Sequence, residues 1–495
     1  MKSTLLSNTV KAGKKLGLTI LGFAAITLSA QMTGSYTINA SNAASTTNFK
    51  DWRSLSQGLQ GLSRNDLGPT LAGGVSGAVT VDVQSDITET AQITFPAITG
   101  TSSTNTIKIN GNGKFISNTI AGEIISFTGA DYVTIDNLIV RNTNANPIGI
   151  RFSNGSNYNS ITKCTIQFSG IITGTTSLTQ AYIAFAASAT ALGTVSTSVN
   201  GSFNTIKGNT CRTTNVNSPG PTIGIALMGN TADYTTTAHN NEISDNIIEN
   251  FFFYGIVSFY GNGNHLLNND ISRKNSTINN GNTTLWGLYN GYQSSTNRQV
   301  RVDGNNVHDL PFIGATETNS NATTYGYYLL AINGTSTNRA TVANNTYTNV
   351  YSTGAQYGIY PVSCVSMDVN KNLISNVFQG TSTVARFYGI WVSSGQNVNI
   401  TANTIRRIRC NYYLYGIYAT NTTGTDMKIS DNILTDWKTN TTQFHYVYCI
   451  YPSFTNNYVI ERNIIDDIRM IGSGPGYVYG IYDYYQPSSK IYSNR

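Results

Sequence analysis

The sequence predicts an all-β solenoid, a chain wound coil upon coil. Three observations predict it. A short pattern recurs eight times between residues 240 and 495: an aliphatic residue, two polar ones, an asparagine, and another apolar residue two positions on. Its clearest copies are NITANTI, KISDNIL and VIERNII, whose Asn403, Asn432 and Asn463 stand 29 and 31 residues apart. A second motif, seen as FYGIV, LYGIY and VYGIY, alternates with the first. Only 11% of residues are charged, with Ser, Thr, Asn and Gly taking the usual place of charges. Each repeat of about 30 residues thus carries at least two short segments of period two, rich in β-branched residues and bounded by Gly, Asn, Ser or Thr. That is a strand pattern, and repeats of this length stack into a solenoid.

The asparagine column extends as Asn137, Cys164 in the same slot, then Asn209, Asn246, Asn269, Asn306, Asn345, Asn372, Asn403, Asn432, Asn463 and Asn494. Loops of varying length interrupt a constant core. Asn306 and Asn137 stand one residue out of register with their apolar neighbours. In a stacked coil these amides lie about 4.8 Å apart and bond from rung to rung, satisfying the polar groups of a tight bend. About twelve rungs give a rod roughly 55–60 Å long.

The chain divides into residues 1–30, 31–105 and 106–495. Lys2, Lys11, Lys14 and Lys15 precede an apolar run from Leu16 to Ala30, the pattern of a secretory signal peptide cut near Ala30. Removing those four lysines from the formal charge of +6 leaves 26 basic and 24 acidic side chains, a balance that argues against a nucleic-acid binder. No second apolar run is long enough to span a membrane. In residues 31–105, Phe49, Trp52, Leu55, Leu59 and Leu62 have helical spacing, with Asn48 and Asp51 as a capping pair. Such a helix plugs the open first rung, so this segment reads as a small N-terminal cap. The repeat domain fills 106–495 and stops inside a repeat, as in a chain truncated at its C-terminus.

Cys164, Cys211, Cys364, Cys410 and Cys449 are odd in number and lie on separate rungs, which suits buried free thiols. His239, His265, His308 and His445 lack ligand spacing, so no metal site is expected.

GSYTIN, GVSGAVTVDV and ITFPAITGTSSTNTIKINGNGK resemble the opening of secreted right-handed parallel β-helix proteins of Bacteroidota, within the pectin-lyase-like group. VTIDNL (Val133 to Leu138) and the Asn-X-Ile repeats are similar to that group's rung pattern. The resemblance covers nearly the whole mature chain and implies the fold and export to the cell surface or medium. It does not single out an activity, because the group includes polysaccharide lyases, glycoside hydrolases, adhesins and phage tail proteins.

Two constellations could carry function. The first is a ladder of aromatic rings. Tyr289, Tyr328, Tyr360, Trp391, Tyr418, Tyr451 and Tyr482 lie two residues after the glycine of the second motif. Tyr254, Trp286, Tyr325, Tyr357, Tyr388, Tyr415, Tyr448 and Tyr479 lie one before it. Strand alternation with the following Ile pointing inward turns the first column outward and the second inward. An outward row of rings with hydroxyls can stack on sugars, or simply stack on itself and stiffen the sheet. The second constellation is Arg407, Asp436 and Asp467, in one column four residues after the asparagines, with Arg409, Lys438 and Arg469 two residues further on. Pectate lyases hold calcium with stacked acids and use an arginine as base. By that resemblance these three are the catalytic candidates and Ca2+ the implied cofactor; as residues alone they read as a surface ion-pair ladder.

Three functions follow. The leading one is a non-catalytic extracellular protein for adhesion, glycan binding or a structural surface layer. The second is a polysaccharide lyase or glycoside hydrolase with acids gathered in a cleft walled by insertions at 167–203 and 310–323. The third is a self-associating filament subunit.

Overall fold

The computed structural model describes residues 30–495 apart from 173–176, 194–199, 233, 235–238, 275–283, 297, 311–322, 380–385, 425–426, 455–456 and 486–488. The expected signal segment thus lies outside the described residues except at its last position. The described chain is nearly all strand. It winds through three parallel sheets of 16, 13 and 13 strands, each coil visiting all three in turn. A strand that returns in parallel to its own sheet does so by a right-handed crossover, and the architecture is the right-handed parallel β-helix. Thirteen strands in the second and third sheets agree with the roughly twelve coils expected. At about 4.8 Å per coil they make a rod roughly 60 Å long.

The first sheet holds the segment before each ladder asparagine, for example Gln396–Thr401; the second holds the segment after it, for example Thr404–Cys410; the third holds the aromatic-glycine motif, for example Leu414–Thr420. Residues three before and two after the asparagine form the buried core between sheets. Ile400 and Ile405 are fully buried, as are Ile417 and Leu434.

The asparagines stack as expected. Asn403 donates from its backbone N–H (2.9 Å) and its Nδ2 (3.0 Å) to Asn432 Oδ1, and its Nδ2 also donates to the Val369 carbonyl at 3.0 Å. Every bonding direction of the amide is used, which is why burial is tolerated. Two positions of the column are corrected. Asn305, not Asn306, joins the ladder, bonded to Asn345 Oδ1 at 2.9 Å, and Leu138, not Asn137, occupies the slot at the first copy, fully buried. Asn137 is instead the residue of the bend itself, with φ 52°. The same left-handed conformation precedes the slot at Lys163, Asp245, Asn268, Lys371, Ala402, Asp431 and Arg462. Cys164 replaces the amide with a weak donor, its thiol lying 3.6 Å from the Ile135 carbonyl.

A second ladder escaped the sequence reading. Asn159, Asn204, Asn241 and Asn264 stack at the bend between the third and first sheets, joined by backbone N–H to Oδ1 bonds of 2.8, 2.9 and 3.0 Å. Each lies five residues before a slot of the first ladder. In later coils the position turns apolar, with Met367, Val398, Met427 and Tyr458 buried there.

Among the described residues one helix occurs, α1 (Trp52–Gln60). Asp51 caps it, accepting from Ser54 N–H at 2.6 Å, and Gly61 ends it at φ 73°. The helix is shorter than its spacing predicts. Phe49 sits in the short strand Asn48–Phe49, and Leu62 is half exposed beyond the cap. Trp52, Leu55 and Leu59 are buried, and α1 packs against Ile93–Pro96, the edge strand of the third sheet. Strands of this segment, such as Met32–Ile38 and Val75–Val83, already pair within the first sheet.

Candidate functional site

The outer surface of the third sheet changes character along the rod. In the first coils Glu123 pairs with Arg151 at 2.8 Å. Next the outward positions become aliphatic: Ile148, Ala181, Ala184, Ile223, Ala226 and Val257 form a small apolar cluster separate from the core. They are buried because the chain on either side of strand Ala181–Phe185 folds back over them with Leu178, Ala186 and Leu192. The described residues of the expected insertion 167–203 are therefore partly a regular coil and partly this cover. From Tyr254 onward the same positions carry aromatic rings, and no described segment covers them in this way.

Both ring columns lie on the outer face, which corrects the expected alternation. Tyr388 and Trp391 rings are 4.7 Å apart, Tyr415 and Tyr418 5.1 Å, Tyr448 and Tyr451 4.8 Å. The cause is the glycine–isoleucine step. Ile359, Ile390, Ile417 and Ile450 are buried in the core, yet the residue before each, Gly358, Gly389, Gly416 and Cys449, also faces inward. A Cβ on Gly416 would collide with Trp437 Cη2 and stand 2.6 Å from Leu434 Cδ2; on Gly389 it would stand 2.7 Å from Ile405 Cδ1. Two consecutive inward residues act as a bulge, and the aromatics flanking them both emerge outward.

The two columns differ in geometry. Rings one before the glycine stack nearly parallel: 12° for Tyr325–Tyr357, 7° for Tyr357–Tyr388, 9° for Tyr388–Tyr415 and 7° for Tyr448–Tyr479. Each face is covered by the next ring. Rings two after the glycine are mostly tilted: 62° for Tyr289–Tyr328, 46° for Tyr328–Tyr360, 31° for Trp391–Tyr418 and 69° for Tyr451–Tyr482, while Tyr360 and Trp391 stack at 20°. Tilted neighbours cover one another incompletely. All seven of these rings, the sequence-predicted column, are half-buried at the outer face. Burial pushes the Tyr254, Tyr357 and Tyr418 phenols up to about 12 and holds Tyr289, Tyr325, Tyr360 and Tyr415 higher still. These seven phenols stay neutral across the biological pH range.

The catalytic candidates lie elsewhere, on the second sheet. Arg407, Asp436 and Asp467 share the left-handed conformation (φ 55°, 56°, 51°) with Asn349 and Asn376 of earlier coils. They mark a bulge repeated from coil to coil. Arg407 is exposed. Asp436 is held by Arg409 at 2.9 Å, with Lys438 at 4.0 Å, and Asp467 pairs with Arg469. Each carboxylate has a cation of its own, the arrangement of a surface ion-pair ladder. Among the described residues no group of three or more His, Cys, Asp or Glu side chains is placed to hold a metal ion. A cavity of about 440 Å³ opens beside Gln31, Gln60 and Thr99, and residues 311–322 of the second expected cleft wall lie outside the described residues.

One charged cluster was invisible in the sequence. His308, read as isolated, donates or accepts at both ring nitrogens, to Asp270 at 2.9 Å and Asp309 at 2.6 Å. Burial works against its charge, but the two carboxylates win and raise the imidazole's pKa; His308 in turn lowers that of Asp270. Both nitrogens are occupied, so the group is an ion pair and not a free base. Its partners are 38 residues apart in sequence for Asp270 and one for Asp309. The five cysteines are all free and buried, with Cys164, Cys364, Cys410 and Cys449 thiols pushed by burial to about 12.

No family model matches the chain, and no curated protein matches it. Solved structures do. A GH136 lacto-N-biosidase from Eubacterium ramulus shares 12% identity at a TM-score of 0.41, over 79% of this chain and 62% of that one. This chain thus spans under two thirds of that enzyme's length. A mannuronic-acid-specific family 6 polysaccharide lyase from human gut microbiota shares 13% at a TM-score of 0.38, over 85% and 86%. A surface adhesin of Streptococcus pneumoniae shares 13% at a TM-score of 0.37, over 84% and 92%. Hydrolase, lyase and adhesin stand side by side among these neighbours, and the likeness separates none of the functions.

Proposed function

We propose that the protein is a non-catalytic extracellular β-helix that holds a glycan on its row of aromatic rings. One observation carries this reading. The outer face of the third sheet is aliphatic where the chain covers itself and turns to tyrosine and tryptophan where no described segment covers it. Aliphatic side chains suit a dry interface. Rings with hydroxyls suit a surface that meets water and a polar, ring-shaped ligand, offering stacking and hydrogen bonds together. The paired, half-buried Asp436 and Asp467 add no acid–base pair to set against it. The apolar run at the start of the chain supports export.

Titration of the purified protein against a panel of soluble polysaccharides tests the reading. Binding is expected to at least one, weakened about tenfold or more by Trp391→Ala or Tyr360→Ala, a loss of roughly 1–2 kcal/mol as for other aromatic contact residues. Arg407→Ala, Asp436→Asn and Asp467→Asn are expected to leave it unchanged. Depolymerisation of any glycan that disappears in those last three variants would overturn the proposal in favour of a lyase or hydrolase.

A further inference from the structure

The stripe's chemistry narrows the ligand, on the reading just given. Eight consecutive strands of the third sheet, from Tyr254–Asn262 to Gly476–Ile481, contain no Asp, Glu, Lys or Arg. The second sheet, by contrast, carries Asp, Glu, Lys or Arg in seven of its thirteen strands. We propose that the stripe binds an uncharged, linear polysaccharide laid along the axis of the solenoid, and that the fold-back of Leu178 and Leu192 with the Glu123–Arg151 pair closes the site at one end.

Three arguments support this. A uronate or sulfate placed on these strands would give up water and meet neutral phenols, with no guanidinium or ammonium on the strands to compensate. Arg386, just before its strand, approaches the Tyr388 hydroxyl at 3.5 Å but stands at the margin. The site is two rings wide and seven coils long in its tilted column, about 29 Å, so only a ligand running with the axis meets the same chemistry at each step. Neighbouring rings lie nearly face to face along the parallel column and cover one another less along most of the tilted one. The tilted column is therefore the contact surface and the parallel column its support.

Isothermal titration of the full chain with chemically matched neutral and uronate-containing polysaccharides, at low and high salt and at pH 6 and 9, tests the assignment. Neutral chains are expected to bind with affinity constant within twofold across all conditions, rising with chain length. Trp391→Ala should weaken binding at least tenfold, and Trp391→Phe, which keeps a ring and guards against misfolding, should weaken it less. Binding confined to uronate chains and falling severalfold with salt, while still sensitive to Trp391→Ala, would overturn the neutral-ligand assignment and leave glycan binding standing. Binding of neutral chains that ignores both Trp391 variants would overturn the site. Binding of neither class would overturn the proposed function itself.

Discussion

Asn403 shows how one side chain holds a coil. Its amide is buried, bonds to the coils on either side, and sits after Ala402, a residue in the left-handed conformation at φ 57°. That conformation costs roughly 1–2 kcal/mol for a residue with a Cβ, and the ladder offsets it. Asn403→Ala should lower stability by about 1–3 kcal/mol, because it leaves buried backbone groups of two coils without partners. The neighbouring pair Asn305 and Asn306 provides a sharper check. Asn305→Ala should behave like Asn403→Ala, while Asn306→Ala, whose side chain lies outside the core and bonds Asp270 at 2.7 Å, should cost less than half as much. Urea denaturation of both variants measures the difference. The sequence could not separate the two, because adjacent asparagines fit one slot and only the flanking Val302 and Val307 favoured the first.

At the scale of elements, α1 brings a titratable group to the end of the rod. Glu89 Oε1 accepts from Trp52 N–H at 2.8 Å, at the helix N-terminus. Burial, and then the nearby Asp51 charge, raise its pKa to about 7 against that bond's opposite pull. A carboxyl whose folded pKa is raised binds its proton more tightly in the folded state, so stability falls as pH rises through the window from about 4.5 to about 7. Hydrogen exchange of the Trp52–Gln60 amides should therefore be faster at pH 8 than at pH 5 after correction for intrinsic rates. Glu89→Gln, which retains the acceptor, should remove the difference and stabilise the cap at pH 8 by about 1–2 kcal/mol. The helix itself was legible from Trp52, Leu55 and Leu59. Glu89 was not, since its partner lies 37 residues away. The glycine motif was legible as a strand, but period-two reasoning set its flanking aromatics on opposite faces. The inward glycine, fitted against Trp437 and Leu434, is a matter of volume inside the coil, which no alternation rule carries.

Across the whole molecule, the stacked amides and aliphatics that read out as a solenoid did so because each coil repeats the same short-range pattern. What stayed hidden depends on contacts between coils of unequal length. The second asparagine ladder, the Asp270–His308 pair and the cover over the early aliphatic coils all join residues separated by loops of different size. The candidate site was half legible: all seven rings of the tilted column emerged where predicted, while the parallel column beside them and the closed end did not. These surfaces make one long face that is neutral, ringed and, among the described residues, uncovered, beside a second face patterned with ion pairs. Hydroxyl-radical footprinting with and without a saturating polysaccharide tests most directly which face carries the ligand. Tyr360, Trp391 and Tyr418 should be protected while oxidation around Arg407 and Asp436 is unchanged. Equal oxidation of those three rings in the bound and free protein would contradict the account.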